Sequence, residues 1–108
     1  MARPRKCRRI CQMPRTTCFA PSGDAAGEIC MTLDEFESIR LIDAEGLQQE
    51  ECALRMNVAR TTVQAIYLSA RMKLADALVH GKALRIAGGD VALCPRAGCC
   101  GRRCEREE

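Results

Sequence analysis

Four of the chain's nine cysteines, Cys94, Cys99, Cys100 and Cys104, fall within eleven residues, interleaved with Gly98, Gly101, Arg102 and Arg103. Three more, Cys7, Cys11 and Cys18, punctuate a basic N-terminal stretch. A thiolate beside guanidinium groups has a lowered pKa, which favours metal capture or oxidation. With Cys52 set aside as a core residue and Cys30 in a short apolar run, the eight thiols other than Cys52 suffice for two four-thiolate zinc sites or for iron–sulfur ligation. None of the spacings is the paired Cys-x-x-Cys that marks such sites most strongly, and reduced thiols on a loose tail are the plain alternative. The cofactor expected is zinc or an iron–sulfur cluster, on Cys94, Cys99, Cys100 and Cys104 with Cys7, Cys11 and Cys18 as a second set. An odd thiol count favours this over a disulfide framework in a reducing compartment. His80 is the single histidine, and it follows a helix end, where an imidazole commonly meets free carbonyls. With no second histidine, serine elbow or glycine-rich phosphate loop, the sequence supports no enzyme and suggests no small-molecule substrate.

A second group of residues carries recognition chemistry instead. Arg60, Thr61, Thr62 and Gln64 are hydrogen-bonding side chains in one short run, and the small Ala59 and Ala65 beside them leave the backbone open to close approach. On one helix face such a row suits base edges: Gln64 matches adenine, Arg60 matches guanine or a phosphate, and the threonine methyls match a thymine methyl. Gln49, Arg55, Arg71 and Lys73 are candidates for phosphate contacts that position without reading sequence. Each is equally well explained as a solvated helix-surface residue.

Charge is unevenly spread. Arg3, Arg5, Lys6, Arg8, Arg9 and Arg15 come with no acid among them, residues 24–51 carry nine acids against Arg40 alone, and residues 55–85 return to six bases against Asp76. Two basic surfaces therefore flank an acidic segment, and the net charge of +3 understates both. Arg3, Arg5, Lys6, Arg8 and Arg9 form an arm of the kind that lies in a narrow, electronegative minor groove. Double-stranded DNA is the partner these surfaces imply, and structured RNA would be served by the same charges. No apolar stretch reaches membrane-spanning length and no apolar run follows the basic start, so a cytoplasmic protein with no membrane contact is expected.

The elements that must position these residues can be read from local signals. Residues 1–27 form a basic, proline- and cysteine-containing arm, 28–87 a periodic body, and 88–108 a Gly/Cys/Arg-rich tail. Both ends are expected to be flexible unless tied down. Thr32 followed by Glu35 is a capping box that starts a helix carrying Leu33, Phe36, Ile39 and Ile42, and Gly46 ends it. A short helix follows from Gln48 or Gln49 to Met56, with Asn57 able to take the left-handed turn. From Arg60 a helix of some 20 residues runs to Gly81, its stripe formed by Val63, Ile66, Tyr67, Ala70, Leu74, Ala77 and Leu78. Glu28 to Met31 and Ala83 to Ile86 are β-capable and are expected to pair. Ala53 at a helix crossing, Asn57 four residues on, and Cys52, Met56, Val58, Val63 and Ile66 as buried residues meet the demands of a helix-turn-helix; a plain helical hairpin is the bland reading. The fold class expected is mainly α: a three-helix helix-turn-helix body, winged-helix or sigma region-four-like, with a short β pairing.

The runs Leu33-Asp34-Glu35-Phe36-Glu37, Ile39-Arg40-Leu41-Ile42-Asp43, Glu45-Gly46-Leu47, Gln49-Glu50-Glu51 and Asn57-Val58-Ala59-Arg60-Thr61-Thr62-Val63-Gln64 resemble an uncharacterised family of small prokaryotic proteins thought to bind DNA. The resemblance extends over Arg3-Pro4-Arg5-Lys6, Ala70-Arg71, Lys73-Leu74-Ala75, Gly81-Lys82-Ala83-Leu84 and Gly88-Gly89-Asp90, nearly the whole chain. It implies a helix-turn-helix similar to region four of bacterial sigma factors, with Asn57 and Ala59 where such modules often carry glycine and a serine cap. The function expected is a sequence-specific DNA-binding regulator of transcription, responsive to metal or redox state through its cysteines, and a homodimer of the kind such modules form. The competing expectation is a metal or iron–sulfur carrier or assembly accessory whose helical body binds another protein.

Overall fold

The computed structural model describes residues 8–89 and 91–93. Helix α1, Leu33–Ile39, begins at the expected capping box: the Thr32 hydroxyl accepts from the Glu35 amide, and the Thr32 amide donates to Glu35 Oε1 at 3.0 Å. Asp34 and Glu35 occupy its first turn, where the helix dipole favours anions. The helix widens at its end into a π-helical turn, Arg40–Ala44, closed by a hydrogen bond from the Glu45 amide to the Arg40 carbonyl at 2.9 Å. Gly46, at φ +81°, then releases the chain. Helix α2, Gln49–Met56, stops at Asn57, and helix α3, Arg60–His80, stops at Gly81; both stopping residues are left-handed.

Five short strands complete the fold. β2 (Cys18–Phe19) and β3 (Glu28–Met31) flank β4 (Ala83–Ile86), antiparallel and parallel respectively, in a three-stranded sheet. The pairing expected of the two β-capable runs is thus present, with Glu28 opposite Ala83 and Met31 opposite Ile86. β1 (Arg8–Ile10) lies parallel to β5 (Val91–Leu93), Arg8 opposite Val91. Over these residues the ends are tied down, which is the condition under which order is expected of them. Ile10 is wholly buried, and an apolar side chain removed from water contributes about 1.5–3 kcal/mol, which a free arm would forgo.

Two apolar cores share α3. Its first half packs Val63 and Ile66 against Leu41, Cys52, Ala53 and Met56, with Ile42, Leu47 and Val58 around them. Its second half packs Ala70 and Ala77 against Met31, Leu84 and Ile86, with Ile29, Leu33, Phe36, Ile39 and Leu74 partly buried beside them. The expected stripe fails at Leu78, which is exposed. It lies about 100° round the helix from Ala77, off the covered side. Met31 and Ala87 are joined by a backbone hydrogen bond of 2.9 Å, and the Leu33 amide donates to the Gly88 carbonyl at 2.9 Å, so the strand leaving the sheet satisfies an orphan amide of α1.

A candidate nucleic-acid interface on the paired helices

The geometry of the surface around Arg60 is fixed by the turn before it. Asn57, at φ 60° and ψ 47°, reverses the chain, and the Val58 amide bonds back to the Ala53 carbonyl at 3.0 Å. A side chain at Asn57 rather than glycine is tolerable because asparagine visits the left-handed region most readily among non-glycine residues. Ala53 is buried where α2 meets α3, so a larger residue there would push the helices apart. With Cys52, Met56, Val63 and Ile66 also buried, α3 is rotationally fixed, and Arg60, Thr61, Gln64 and Ala65 are left exposed, with Thr62 half-buried.

Ala59 serves as N-cap of α3 without a side-chain hydrogen bond, and no acid stands in the first turn. The positive end of a 21-residue helix is thereby open to an anion. Acidic groups lie close by on α2: Arg60 Nε is 3.3 Å from Glu50 Oε2, and Arg55 Nε is 3.5 Å from Glu51 Oε2. Glu50 is the residue sequence reasoning missed here. Glu50 and Arg60 are ten residues apart with most of α2 between them, so no local sequence signal pairs them.

The candidate phosphate contacts divide. Arg71 is exposed and stacks over Tyr67 at 5.5 Å from the ring centroid. The Tyr67 hydroxyl donates to Asp43 at 2.8 Å, and its pKa is pushed up, first by desolvation and then by that carboxylate. Lys73 is turned to the body, donating to Glu35 Oε1 at 2.8 Å, while the Ser69 hydroxyl donates to Glu35 Oε2 at 2.6 Å. Burial works against a charged Glu35, yet the bonds from Lys73, Ser69 and Thr32 outweigh it and hold the pKa below the usual glutamate value. Gln49 is half-buried, its Oε1 enclosed without a hydrogen-bond partner among the described residues.

The basic arm enters the description at Arg8, and here its charges are used internally. Arg8 forms an ion pair with Asp34 at 2.6 Å, and Arg9 Nε donates to the Arg55 carbonyl near the end of α2 at 3.1 Å. The Cys11 amide donates to Glu37 Oε2 at 2.9 Å, and Arg40 grips the wholly buried Glu37 with two hydrogen bonds of 2.9 and 2.8 Å. Arg3, Arg5, Lys6 and Cys7 lie outside the described residues.

The cysteines within the description are dispersed. Cys11 and Cys52 are buried, and the Cys52 thiol is pushed up to about 12 by burial and by the negative charge of Glu37, against the pull of Arg40 and Arg55. Such a thiol is inert. Cys18 and Cys30 are exposed on β2 and β3, each in register with Arg85 of β4 between them. Among the described residues no three metal-ligating side chains gather into one group; Cys94, Cys99, Cys100 and Cys104 lie outside them. No described helix is long and apolar enough to cross a membrane.

Comparison with known proteins places this architecture among relatives without an assigned activity. A family described as "Protein of unknown function DUF134" matches residues 1–93. A "UPF0251 protein" of Desulfitobacterium hafniense is 54% identical over 108 residues, covering 96% of this chain and 86% of the relative. One from Caldicellulosiruptor saccharolyticus is 51% identical over 90 residues, 83% of this chain and 65% of its own length. Another from Prosthecochloris aestuarii is 43% identical over 115 residues, 98% of this chain and 74% of the relative. No solved structure matches the chain.

Proposed function

We propose that this chain, which belongs to the DUF134 family of uncharacterised UPF0251 proteins, is a sequence-specific duplex-DNA-binding protein of the transcription-regulator class that uses α2 and α3 as a helix-turn-helix. The observation that carries the reading is the exposed row Arg60, Thr61, Gln64 and Ala65 on the first turns of α3, which no side chain caps, held outward by a three-residue turn with left-handed Asn57 and by an apolar crossing. In this arrangement α3 enters the major groove, Gln64 and Arg60 meet base edges, and the α3 amides and Arg71 meet phosphates. Lys73 serves the body instead, Arg8 and Arg9 anchor the arm, and Gln49, half-buried with its Oε1 unpartnered among the described residues, stays a phosphate candidate at the start of α2. Glu50 restrains Arg60 until the base edges compete for it.

The test is selection of duplexes from a random pool by the full chain, followed by affinity measurement on preferred and scrambled sequences. Gln64→Ala should lose discrimination worth about 1–3 kcal/mol, the usual value of a bidentate base contact. Glu50→Gln should tighten binding to every duplex, because it removes a repelling charge and frees Arg60. Failure to retain any duplex, or equal losses on preferred and scrambled duplexes for both Gln64→Ala and Arg60→Ala, rules the reading out.

A further inference from the structure

Helix α3 is apolar on two opposite sides, and only one of them is covered. Val63, Ile66, Ala70 and Ala77 face the cores. On the far side, beginning one turn beyond Gln64, stand Leu68, Met72, Ala75 and Val79; Leu68, Met72 and Val79 are 61%, 64% and 75% exposed, and Ala75 is exposed with them. Single exposed apolar residues are ordinary on any surface. Four in steps of four, three and four are the a/d rhythm of a coiled-coil seam. Such a stripe stays on one side of the helix for its whole length.

We propose that this seam pairs with the same seam of a second copy, the two α3 helices lying parallel. The flanking charges select both the partner and the direction. With Leu68 and Ala75 at d and Met72 and Val79 at a, Arg71 falls at g and Asp76 at e. In a parallel pair each g residue meets the e residue five positions on in the partner, so Arg71 faces Asp76 of the partner subunit, and the contact occurs twice by symmetry. An antiparallel pair would set g against g and e against e, arginine against arginine and aspartate against aspartate. Both charges can serve the pair: Arg71 is exposed, and Asp76 accepts from Lys82 at 3.2 Å and is 2.6 Å from His80 Nδ1, which leaves carboxylate lone pairs unused. Ala75 at the central d position leaves room for close approach, and Met72 fills the irregular space beside it. The apolar seam lies C-terminal to the exposed Arg60–Ala65 row, and pairing is measured without nucleic acid, so it is tested apart from the phosphate contact proposed for Arg71.

The experiment is sedimentation equilibrium of the full chain under reducing conditions, so that thiols do not link copies. The mass should rise from 11.9 kDa toward twice that value as concentration increases. Leu68→Glu combined with Met72→Glu should hold the chain at the single-copy mass with an unchanged helical signal, because neither side chain is in a core. Arg71→Glu should weaken the pair by about three- to tenfold, as expected for replacing two exposed attractions with two repulsions, and adding Asp76→Arg to it should restore the affinity. A chain that remains a monomer at about 1 mM, or a dimer indifferent to Leu68→Glu with Met72→Glu, overturns the pairing. A dimer indifferent to Arg71→Glu overturns its parallel direction. If the seam variant loses helical signal, the Arg71→Glu and Arg71→Glu/Asp76→Arg proteins, altered only at the surface, decide the matter.

Discussion

Two sides of α2 are held by opposite kinds of chemistry. Toward α3 the contact is apolar, through Cys52, Ala53 and Met56 against Val63 and Ile66. Toward β1 it is polar: Arg9 on the Arg55 carbonyl, and nearby Arg8 on Asp34 and the Cys11 amide on the buried Glu37–Arg40 pair. The apolar contact depends on volume, and volume can be redistributed among neighbours. The polar contact depends on complete pairing, because a buried charge that loses one partner retains its full desolvation cost. One surface is therefore tolerant of sequence change and the other is not.

The largest effect should come from breaking the polar side. Glu37→Ala removes the forked partner of Arg40, which keeps Glu45 at 3.6 Å, and the carboxylate acceptor of the Cys11 amide, and should lower the unfolding free energy by about 3–5 kcal/mol in a urea titration. Replacing Glu37 and Arg40 together with Met and Leu should cost less than Glu37→Ala alone; a double variant as damaged as the sum of two singles would show that the network is not a unit. On the apolar side Met56→Ala should cost about 2–5 kcal/mol, but Met56→Leu less than about 1.5 kcal/mol. Arg40→Lys, equally conservative by name, should cost more than Met56→Leu because lysine cannot supply the forked pair of bonds. If the two conservative changes cost the same, the contrast between the surfaces fails.

A smaller loss is expected where the chain crosses α1. Gly89 has φ +102°, and a Cβ there would stand 3.1 Å from Asp34 Oδ1 and 3.2 Å from the Thr32 Cβ. Gly89→Ala should cost about 1–3 kcal/mol, read from the same titration. The smallest effect is pH dependence through Glu35. Its pKa is lowered from 4.5 in the folded chain, so the contribution is present in full above 4.5 and disappears as the pH falls through the folded value. Lys73→Met should flatten that acid limb of stability while barely moving the midpoint of an unfolding curve taken with Glu35 already protonated.

What was legible in the sequence was local. The Thr32–Glu35 box, the stops at Gly46 and Gly81, and the left-handed Asn57 each need only three or four neighbouring residues, and each is present. The β-capable runs could be named because Ile29 and Leu84 sit in short apolar stretches, but their parallel register needed the intervening helices. The strand Arg8–Ile10 was not legible: three residues are too few for an alternation, two are arginines, and the partner lies more than eighty residues away. Leu78 was misplaced because the side of α3 that is covered at Ala77 is narrower than the stripe that helical periodicity allows. The far-side stripe Leu68, Met72, Ala75 and Val79 was visible as a spacing, but a helix with two apolar sides does not announce which is covered. Arg60 was read as free to reach outward, since nothing local in the sequence tells that Glu50 stands across the turn.

The parallel pairing of β1 with β5 has a consequence for the order in which the protein is made. The first described strand leaves the ribosome early, and its partner emerges only after α3 and β4 have been synthesised. Helices α1 to α3 can assemble their shared apolar core while the N-terminal segment is still unpaired on that side. Until Val91–Leu93 arrives, the ladder edge of β1 is open, and Glu37, Arg40 and Arg9 hold it by side chains alone. A nascent chain stalled before that point, or a product truncated there, exposes an unpaired strand edge beside the Ile10 side chain to its neighbours, so completion of β5 is also the step that covers this aggregation-prone edge of β1.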